Sequence, residues 1–539
     1  MATQELGYRV LARSQVPSSV GVSPARPDAR PSGALSRRAR LIRATFDQVA
    51  PSLWERRRAA AYYYEASYRH FARLVEPGQR VLEIGPAYGD LLAALRPKVG
   101  LGVELSAGMA SQAGRRHPHL RLAVGDAHRL PIGQPFDYIV WHDLVGHLDD
   151  VLGALREARR LAHPHTRLVL THYNLLWTPL LVLAEWAGAK LPTPEQNWLS
   201  MEDLRNLLRL AGFRVLRAGT ELLVPRRVPG FSAFANTVLV RFPLFRDLAL
   251  VAWFEAAPVP APVAPEVAVT VVIPCRNEAG NLEACVRRTP YMGTSTEVII
   301  VDGSSTDGTW EIARRLEADP PAGLSVRAIP QVPEFDYARH TTAGRDPKLG
   351  MLNLGKGDAV RKGFAAATGD VLMILDADMT VSPEDLPKFY EPLRDRRADV
   401  VNGVRLVYPI EHQAFKPLNF IGNKIFSLVF SWLLGQPVKD TLCGTKALRR
   451  LDYERIAANR IRFGDFDPFG DFDLLFGAAD LGLRIVDMPI RYQRRVAGTT
   501  KVSVWRHGPL LVAMTLVGLR KLKWPRWRRA VARLIQGSR

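Results

Sequence analysis

Two aspartates separated by a single residue follow an apolar run in the second half of the chain. Asp376 and Asp378 end the stretch GDVLMILDAD, and residues 371–375 have the pattern of a buried β-strand. Side chains two positions apart on a strand point the same way, so both carboxylates would share a face at the sheet edge. Such a pair repels unless a divalent cation bridges it, for instance to a diphosphate. An isolated D-x-D is more often two solvated turn carboxylates, so the context decides.

Further acids lie at predicted strand ends in the same half. VAVTVVIPCRNEAGNLEACV and TEVIIVDGSSTDGTWEIARRL each have the pattern strand, turn, helix. They place Glu278 and Asp302 beyond the carboxyl ends of parallel strands, where ligands bind in open α/β sheets. We therefore expect both side chains to face one crevice. A basic loop and helix, GKGDAVRKGFAAATGD, comes next along the chain.

The first half of the chain contains its own strand–turn–helix unit, RVLEIGPAYGDLLAAL. Its glycine-containing turn would let a ligand approach the backbone at the helix N-terminus. Glu104 ends the next strand, 21 residues after Glu83. That distance suits a carboxylate that accepts hydrogen bonds from both hydroxyls of a ribose. Asp126, in LAVGDAHRLPI, stands at the end of another strand.

Strand-like and helical patterns alternate on both sides of a proline-rich stretch, EAAPVPAPVAPEVAV. This alternation predicts an α/β fold of two doubly wound domains. Proline fixes φ and removes a donor, so we expect the stretch to be a semi-rigid linker that joins neither a helix nor a central strand. The predicted parts are a disordered basic Ser/Pro-rich tail (1–44), two domains (45–250 and 267–505) with a linker between them (251–266), and a C-terminal segment (506–539).

Charge and cysteine content narrow the partners and the compartment. The chain carries 73 Lys or Arg against 53 Asp or Glu, a formal net charge of +20, so an anionic partner is expected. Its three cysteines offer no disulfide framework and no zinc-ligand spacing, which fits a reducing cytoplasm. The N-terminus has no secretory pattern, and no apolar run reaches the ~18 residues of a membrane span. LLWTPLLVLAEWAG is predicted to form a buried or lid-like helix.

The context of the aspartate pair is an ordered set of segments. In chain order they are VVIPCRNE, IIVDGSSTDGT, GKGDAVRKG, LDADM, NGVRLV, DTLCGTKAL and RRVAGTTK. Over about residues 267 to 505 this set resembles the family 2 glycosyltransferases of the GT-A fold. Within that family it is most similar to polyprenyl-phosphate sugar synthases of the dolichyl-phosphate mannose synthase type. The resemblance implies an inverting transfer of a sugar from a nucleotide-sugar donor to a membrane-associated acceptor such as polyprenyl phosphate.

The same resemblance implies roles for individual residues. Those expected to bind the nucleotide-sugar are Pro274, Glu278, Asp302 and Lys356. Those expected to bind Mg²⁺ or Mn²⁺ on the diphosphate are Asp376 and Asp378. Those at positions where the family holds the acceptor phosphate are Arg405, Lys446, Arg494, Arg495 and Lys501. Lys446 departs from the family, whose sequence at this point is closer to Ser-Phe-Arg. A lysine is less suited than an arginine to bidentate phosphate contact.

A second acid pair, Asp471 and Asp473, stands in FGDFDLLFGAADLG. If the acceptor is a hydroxyl of a glycan or metabolite, the reaction needs a general base, and by position these acids are the family's catalytic candidates. A phosphate acceptor is already ionised and needs none. Capping of the following helix is an alternative role for the pair.

A different enzyme class also fits part of the pattern. MILDADMTV matches the apolar strand and D-x-D-x-T of haloacid-dehalogenase phosphohydrolases, in which Asp376 would attack a phosphate. In that family the motif stands near the start of the domain. The hypothesis leaves VVIPCRNE and IIVDGSSTDGT without a role.

In the first half, five ordered strand features resemble class I S-adenosylmethionine-dependent methyltransferases, which are Rossmann-like, over about residues 45 to 245. The residues that the resemblance assigns to the cofactor are Glu83, Gly85 and Gly89 on the methionine side, Glu104 on the ribose and Asp126 on the adenine amino group. Ala87 departs from the family, which has its middle glycine there, so a non-catalytic domain is an alternative. Dinucleotide dehydrogenases are another, although they usually carry a fuller G-x-G-x-x-G.

The methyl acceptor does not follow from the sequence, because methyl transfer is largely positioning and needs no fixed catalytic residue. His142 and His147, in WHDLVGH, could serve as a base or a metal pair. Histidines on the surface or in a loop are the commoner outcome for such a pattern.

The C-terminal segment combines an apolar stretch, GPLLVAMTLVGL, with a basic one. Residues 520–539 contain eight Lys or Arg, no acids and two tryptophans. This pattern suits an anionic bilayer interface rather than a span, which predicts a cytoplasmic protein, peripheral at the inner face of the membrane. A core helix followed by a disordered basic tail is the alternative. No nucleic-acid-binding module is recognised, so no nucleic-acid partner is expected.

Overall fold

The computed structural model describes residues 35–186, 196–197, 199–260, 264–332, 355–405, 408, 417–459, 471–493, 512 and 514–523. The chain divides into two compact units, Met1–Ala261 and Pro262–Arg539. Each unit contains one seven-stranded sheet. The predicted α/β fold class, with a Rossmann-like domain followed by a GT-A-like domain, is confirmed.

The sheet of the first unit has the order β3-β2-β1-β4-β5-β7-β6. Its strands are Arg80–Ile84 (β1), Val99–Glu104 (β2), Arg121–Val124 (β3), Phe136–Trp141 (β4), Ala162–Tyr173 (β5), Phe213–Glu221 (β6) and Val251–Pro258 (β7). The first five run parallel, and β7 is antiparallel to both of its neighbours. The carboxyl ends of β1, β2 and β4 therefore meet at one edge, which is where such sheets bind ligands.

Several helices of this unit bury apolar side chains against the sheet. The helices are Arg37–Val49 (α1), Leu53–Ala59 (α2), Ala61–Leu74 (α3), Asp90–Ala94 (α4), Ala107–Arg116 (α5), Val151–Arg160 (α6), Thr178–Trp186 (α7), Met201–Leu210 (α8), Phe231–Thr237 (α9) and Pro243–Asp247 (α10). One core cluster joins Phe71 of α3 to Val81, Val140 and Val169 of three neighbouring strands, and all four side chains are buried. Burial of large apolar side chains of this kind contributes about 1.5–3 kcal/mol each.

The predicted linker 251–266 is wrong over its first part. Residues 251–258 form β7, which lies between β5 and β6 and hydrogen-bonds to both. The first proline of the stretch is Pro258, the last residue of the strand, so the residues before it keep the N–H groups that a ladder needs. The domain therefore extends beyond residue 250.

The predicted disordered tail 1–44 is also wrong over its last residues. α1 begins at Arg37, and the Ser36 hydroxyl caps it by accepting a hydrogen bond from the amide of Ala39 at 3.0 Å. Ala39 and Ile42 are buried. The Asp47 carboxylate accepts hydrogen bonds from Ser106 and Gly108 at the start of α5, which fixes the helix to the domain.

The segment predicted to form a buried or lid-like helix contains α7 and has exposed leucines, which excludes a fully buried helix. Leu176 before α7 and Leu180 and Leu183 within it are 59%, 56% and 55% exposed. On the other side of the segment Trp177 donates its indole N–H to the carbonyl of Leu248 at 2.7 Å.

The sheet of the second unit has the order β10-β9-β8-β11-β13-β12-β14. Its strands are Val269–Cys275 (β8), Thr296–Asp302 (β9), Leu324–Pro330 (β10), Val371–Ile374 (β11), Val400–Val404 (β12), Lys446–Arg449 (β13) and Ile485–Pro489 (β14). β13 is antiparallel to β11 and β12, and the other pairs are parallel. β9 and β11 are buried at every residue, as expected for strands covered on both faces.

The helices of this unit are Ala279–Arg287 (α11), Thr309–Ala318 (α12), Gly355–Ala366 (α13), Leu386–Arg394 (α14), Pro417–Leu434 (α15), Arg450–Ala458 (α16) and Asp471–Asp480 (α17). A core cluster on one face includes Val272, Phe364, Phe430, Phe472 and Met514. Met514 belongs to the predicted C-terminal segment, of which only residues 512 and 514–523 are described. None of the helices in the described ranges is both long and apolar enough to cross a bilayer.

Candidate functional site

The aspartate pair of the second unit lies just beyond β11. The amide of Leu375 still donates to the carbonyl of Val272 of β8, and the chain then leaves the sheet at Asp376. Asp378 accepts hydrogen bonds from the amide and hydroxyl of Thr380, at 3.1 and 2.7 Å. These two bonds form a turn that fixes the Asp378 carboxylate at the carboxyl edge of the sheet.

Asp376 lies among cations. Its carboxylate forms an ion pair with Lys356 at the start of α13. Burial would raise the pKa of Asp376, but Lys356, then Lys446 and Arg405, hold it below its ordinary value. Asp376 is thus ionised at neutral pH and close to three of the predicted phosphate-binding cations.

Gly444 makes this arrangement possible, and sequence reasoning missed it. A Cβ built on Gly444 would overlap both the Lys356 amine and the Asp376 carboxylate. The backbone of the CGTKAL segment therefore passes directly over the ion pair. The glycine in that segment was the available signal, because only glycine permits so close an approach of the backbone.

The residues predicted to contact the nucleoside lie together at the ends of β8 and β9. Cys275 of β8 pairs with Asp302 of β9, so Pro274 and Asp302 lie on adjacent strands, one position apart in register. Asp302 is fully buried and accepts hydrogen bonds from the amide and hydroxyl of Ser305 at 2.9 and 2.5 Å. Glu278 is the N-cap residue of α11 and accepts a hydrogen bond from the Asn281 side-chain amide at 2.8 Å.

Arg405 follows β12 and is held by a residue that sequence analysis missed. Its Nε and Nη2 donate to the two carboxylate oxygens of Asp440 at 2.7 and 2.8 Å, a bidentate pair. Asp440 is fully buried, and it also accepts from the Arg405 and Leu442 amides. Burial by itself would lower the pKa of Arg405, but the effect of Asp440 is larger and raises that pKa above its ordinary value. The guanidinium therefore stays charged.

Lys446, the other predicted phosphate ligand, is the first residue of β13. It pairs with Ile374 of β11 and with Asn402 of β12, and its side chain is fully buried. Its amine donates to the carbonyl of Cys443. The structure therefore places Lys446 beneath the site rather than at its surface.

The structure describes only some of the remaining predicted residues of this unit. Asp473 is in the first turn of α17 and is 8% exposed. Asp471 begins the same helix, but its side chain is outside the described part of the structure, as are Arg494, Arg495 and Lys501. Whether the acid pair acts as a base therefore stays a prediction.

In the first unit, Glu83 is a buried carboxylate at the end of β1. It is 1% exposed, and within the described residues its Oε2 has no hydrogen-bond partner. Burial raises the pKa of Glu83 to about 8, although the nearby Arg57 opposes this shift. A buried acceptor without a donor is costly, so this site is suited to a cationic donor group of a ligand.

The turn after β1 has the predicted glycines and one strained residue. Gly85 and Gly89 have φ of 74° and 75°, and Ala87 between them has φ of 49°. A left-handed alanine is uncommon and costs energy that the surrounding structure must offset. Its amide donates to Glu104 at 2.9 Å, and the amide of Ser106 donates to the other Glu104 oxygen at 3.1 Å. Glu104 is thus fixed at the end of β2.

Asp126 lies after β3 and is paired with a histidine. Its Oδ1 accepts from the amide and the Nδ1–H of His128, at 3.0 and 2.6 Å. The other ring nitrogen of His128 accepts from the amide of Asp150 at 2.9 Å. These contacts orient the Asp126 carboxylate at the same sheet edge as Glu83 and Glu104.

Arg57 of α2 was not predicted. Its guanidinium lies over the rings of Tyr64 and Tyr88, at 4.6 and 5.3 Å from their centroids. Among the described residues its Nε has no hydrogen-bond partner. It is a cation close to Glu83, and the run ERRRAA gave no indication of which arginine would be partly buried there.

His142 lies in the loop after β4, as one of the expected locations had it, but its side chain is buried rather than on the surface. It follows β4, its side chain is 7% exposed, and its Nε2 lies 2.9 Å from the Ser67 hydroxyl. The rings of Tyr63, Tyr64, Tyr68 and Phe71 surround it. Burial lowers the pKa of His142, which keeps the imidazole neutral.

His147 packs its ring edge-on against Phe46 at 5.3 Å. Across the described ranges no group of three or more His, Cys, Asp or Glu side chains has the arrangement of a metal site. The proposed histidine metal pair therefore gains no support.

The residue after His142 anchors a second network. Asp143 has φ of 54°, and its carboxylate accepts hydrogen bonds from the Tyr63 phenol and, at 3.1 Å, from the Thr171 hydroxyl. Burial and the Asp143 carboxylate raise the pKa of Tyr63 well above its ordinary value. A strained acid held this way at the ligand edge of the sheet is a candidate for contact with the methyl acceptor.

Comparison with known proteins identifies both units. The family described as "Glycosyl transferase family 2" matches residues 270–332 and 352–456, and the family described as "Methyltransferase domain" matches residues 53–218. Undecaprenyl-phosphate mannosyltransferase of Micrococcus luteus is 30% identical over 278 residues, which are 49% of this chain and 98% of that protein. Polyprenol monophosphomannose synthase of Mycolicibacterium smegmatis is 28% identical over 45% of this chain and 84% of that protein.

Some matched proteins are longer. The chain spans 36% of the length of glycosyltransferase AglD of Haloferax volcanii, to which it is 28% identical over 46% of its own length. Among solved structures, a methyltransferase of Thermotoga maritima described as a possible histamine N-methyltransferase is 20% identical, with a TM-score of 0.33. The matched region is 40% of this chain and 99% of the Thermotoga maritima chain.

The second unit is thus a glycosyltransferase domain. The chain belongs to glycosyl transferase family 2, and its first unit carries a methyltransferase domain. Both resemblances stated from the sequence are confirmed. The family 2 match covers Asp376 and Asp378, which leaves the phosphohydrolase hypothesis without further support.

Proposed function

We propose that the protein is a bifunctional enzyme. Its second unit transfers a sugar from a nucleotide-sugar to polyprenyl phosphate at a membrane surface, and its first unit transfers a methyl group from S-adenosylmethionine to a further acceptor. The observation that carries the first activity is the Asp376–Lys356 ion pair at the carboxyl edge, next to Asp378, Lys446 and Arg405. Carboxylates and cations in this arrangement can bind a metal–diphosphate group.

The residues present fit a divalent cation. Asp376 is held ionised, and the Asp378 carboxylate is oriented by Thr380, so two oxygen donors are available. Mg²⁺ is commonly held by one or two carboxylates together with substrate phosphates, which is why this site needs no third protein ligand. When bound, Mg²⁺ or Mn²⁺ would neutralise the charge that develops on the leaving diphosphate. Lys356 would then exchange its contact with Asp376 for one with the phosphates.

The donor nucleoside would lie over Pro274, Glu278 and Asp302, whose backbone and side-chain bonds make the ends of β8 and β9 rigid. Arg405 is fixed by Asp440, so it supplies positive charge from a constant position rather than by reaching for the ligand. Lys446 adds charge from beneath. A rigid cationic floor of this kind favours an acceptor that is itself anionic, such as a polyprenyl phosphate.

An acceptor hydroxyl on a glycan or metabolite is the second candidate. The location of Asp473 in the first turn of α17, half of the predicted acid pair, favours it, because a hydroxyl must lose a proton during the displacement. A phosphate acceptor would leave Asp473 with a structural role at the helix N-terminus.

For methyl transfer, the residues of the first unit also fit S-adenosylmethionine. Glu83 would offer the cofactor's amino group a buried carboxylate oxygen that has no hydrogen-bond partner in the described part of the chain, and Gly85 and Gly89 allow the backbone to come close. The cofactor would supply an electrophilic methyl group. Asp143, with the Tyr63 phenol beside it, would orient the acceptor or take its proton. The strained Ala87 is the observation that favours a binding-only domain instead.

A peripheral location at the cytoplasmic face of the membrane follows from this proposal, because polyprenyl phosphate is presented there with other anionic lipids. The basic C-terminal segment would contribute to binding. Most of that segment lies outside the described residues.

The experiment that tests the sugar transfer uses the full chain, Mg²⁺ or Mn²⁺, a panel of labelled UDP- and GDP-sugars and a short polyprenyl phosphate. Label that enters the organic phase only with metal supports the proposal. Asp378→Asn should lower the rate by about 100-fold or more, since the metal's stabilisation is worth several kcal/mol. Asp319→Asn, at an exposed helix end, is the matched control and should transfer normally.

Two other results would redirect the proposal. If nucleotide is released without labelled lipid, the acceptor is a hydroxyl, and Asp473→Asn is the next variant. If Asp378→Asn transfers sugar at the control rate, the metal role of the aspartate pair is wrong.

A further inference from the structure

The first unit exposes a row of large apolar side chains on one short stretch of chain. Phe231 and Phe234 of α9, Val238 just after it, then Phe242, Phe245 and Leu248 around α10, are between 37% and 55% exposed. We call these six residues the apolar ridge. Contiguous exposed apolar side chains of this size usually mark an interaction surface rather than random exposure.

The orientation of α9 is fixed with its small side chains inward. Ser232 and Ala235 are buried, and the Ser232 hydroxyl donates to the carbonyl of Arg226 at 2.6 Å. The Asn236 side chain donates to the Val224 carbonyl and accepts from the Val224 amide, both at 2.9 Å. Rolling the helix to bury its phenylalanines would break these bonds. Among the described residues of the unit, the bonds of α9 therefore leave the ridge uncovered.

The charge around the ridge is mainly positive. Residues 221–248 contain four arginines, Arg226, Arg227, Arg241 and Arg246, against two acids, Glu221 and Asp247. All four are exposed. Their ion pairs with Glu65 and Asp247 are between exposed side chains, at 3.4 and 3.5 Å, and neutralise little of the field. A second copy of this surface would be repelled, whereas an anionic surface would be attracted.

The ridge adjoins the edge where methyl transfer would occur. Leu222 and Leu250, which flank it in the sequence, pack in one cluster with Tyr63 and Tyr173. Tyr63 binds Asp143 at that edge. The exposed leucines of α7 continue the apolar surface next to Leu248, to which Trp177 is hydrogen-bonded.

We propose that the first unit docks on an anionic lipid bilayer through the apolar ridge and its four arginines. Aromatic side chains enter the headgroup region and arginines bind lipid phosphates, as at other membrane-interface surfaces. This surface belongs to the first unit, whereas the C-terminal segment belongs to the second, and the proposal does not depend on the sugar-transfer reaction. One consequence rests on the proposed methyl transfer: the methyl acceptor is carried by a lipid, because docking places the Asp143 edge at the bilayer surface.

A site-specific fluorescent label tests this docking in the full chain. The three native cysteines are buried, so a single new cysteine at Phe234→Cys takes an environment-sensitive dye. Glu202→Cys, exposed at the start of α8, is the matched control. With vesicles of mixed phosphatidylcholine and phosphatidylglycerol, the dye at position 234 should shift its emission to the blue, and the dye at position 202 should not. Unchanged thermal unfolding of both labelled chains verifies their folding.

The arginines give a second measurement. Arg226→Gln with Arg227→Gln should weaken vesicle binding by about fivefold per arginine, and pure phosphatidylcholine should bind weakly even to the unmodified chain. Co-sedimentation with anionic vesicles without a shift at position 234 would mean docking through another surface, and would overturn the proposal. A blue shift in the absence of vesicles would also overturn it. A shift that depends on protein concentration would mean that a second copy covers the ridge. A shift that does not would mean that another part of the same chain covers it. Docking without methyl transfer would leave this proposal standing and refute only the proposed methyltransferase activity.

Discussion

Glu83 offers the sharpest test of the cofactor site, because its burial has a consequence for stability. The pKa of this carboxyl is raised from 4.5 to about 8, with burial as the main cause. Between these two values the folded state keeps a proton that the unfolded state has lost. The free energy of unfolding should therefore fall as the pH rises from about 4.5 to about 8, by up to about 5 kcal/mol in total.

Glu83→Gln should remove this pH dependence. The amide stays neutral, so the variant should match the wild type near pH 5 and unfold at a higher temperature than the wild type near pH 9. Glu76→Gln, an exposed position in the same unit, is the control and should leave the pH profile unchanged. Scanning calorimetry of the full chain across this range, following the transition of the first unit, gives the measurement.

A ligand adds a second, independent comparison. If the cofactor's ammonium group meets the ionised Glu83, S-adenosylhomocysteine should stabilise the wild type more than Glu83→Gln, and most at alkaline pH. An equal ligand effect on both proteins would refute the assignment of Glu83 to the amino group. A difference between wild type and Glu83→Gln that stays constant with pH would refute the argument from burial itself.

Three further predictions concern other parts of the two sites. Gly444→Ala should abolish sugar transfer while leaving the chain folded, because the added methyl group overlaps the Asp376 ion pair; activity and circular dichroism measured together check this, and an active variant would contradict it. Asp440→Asn should destabilise the second unit by about 3–5 kcal/mol by leaving the buried Arg405 without its carboxylate, as read from denaturant unfolding; a loss below about 1 kcal/mol would show that the guanidinium finds other partners. Tyr63→Phe should cost about 1 kcal/mol of stability but lower methyl transfer much more, and equal turnover by the variant would exclude the phenol from the acceptor site.

Local sequence patterns were sufficient to predict where the strands that lead to the two sites end. A run such as TEVIIVD is short and rich in β-branched residues, which indicates a strand buried on both faces, and its last residue then lies at the sheet edge. The same logic places Asp376, Asp378, Glu83 and Glu104 at the carboxyl edges of their sheets from sequence position alone. The proline-rich stretch shows the limit of such patterns, because its first residues pair in β7 once a neighbouring strand offers hydrogen bonds.

Contacts between distant residues could be decided only by the tertiary structure. Arg405 and Asp440 are 35 positions apart, and nothing in NGVRLV or DTLCGT shows that one neutralises the other. The outward orientation of the phenylalanines in α9 is similar, since the apolar face of a surface helix ordinarily packs on the domain and here it does not. The sequence by itself determined which carboxylates reach the two ligand edges, because strand direction is a local property. Their burial, ionisation and partners depend on what packs around them, and that is a property of the whole fold.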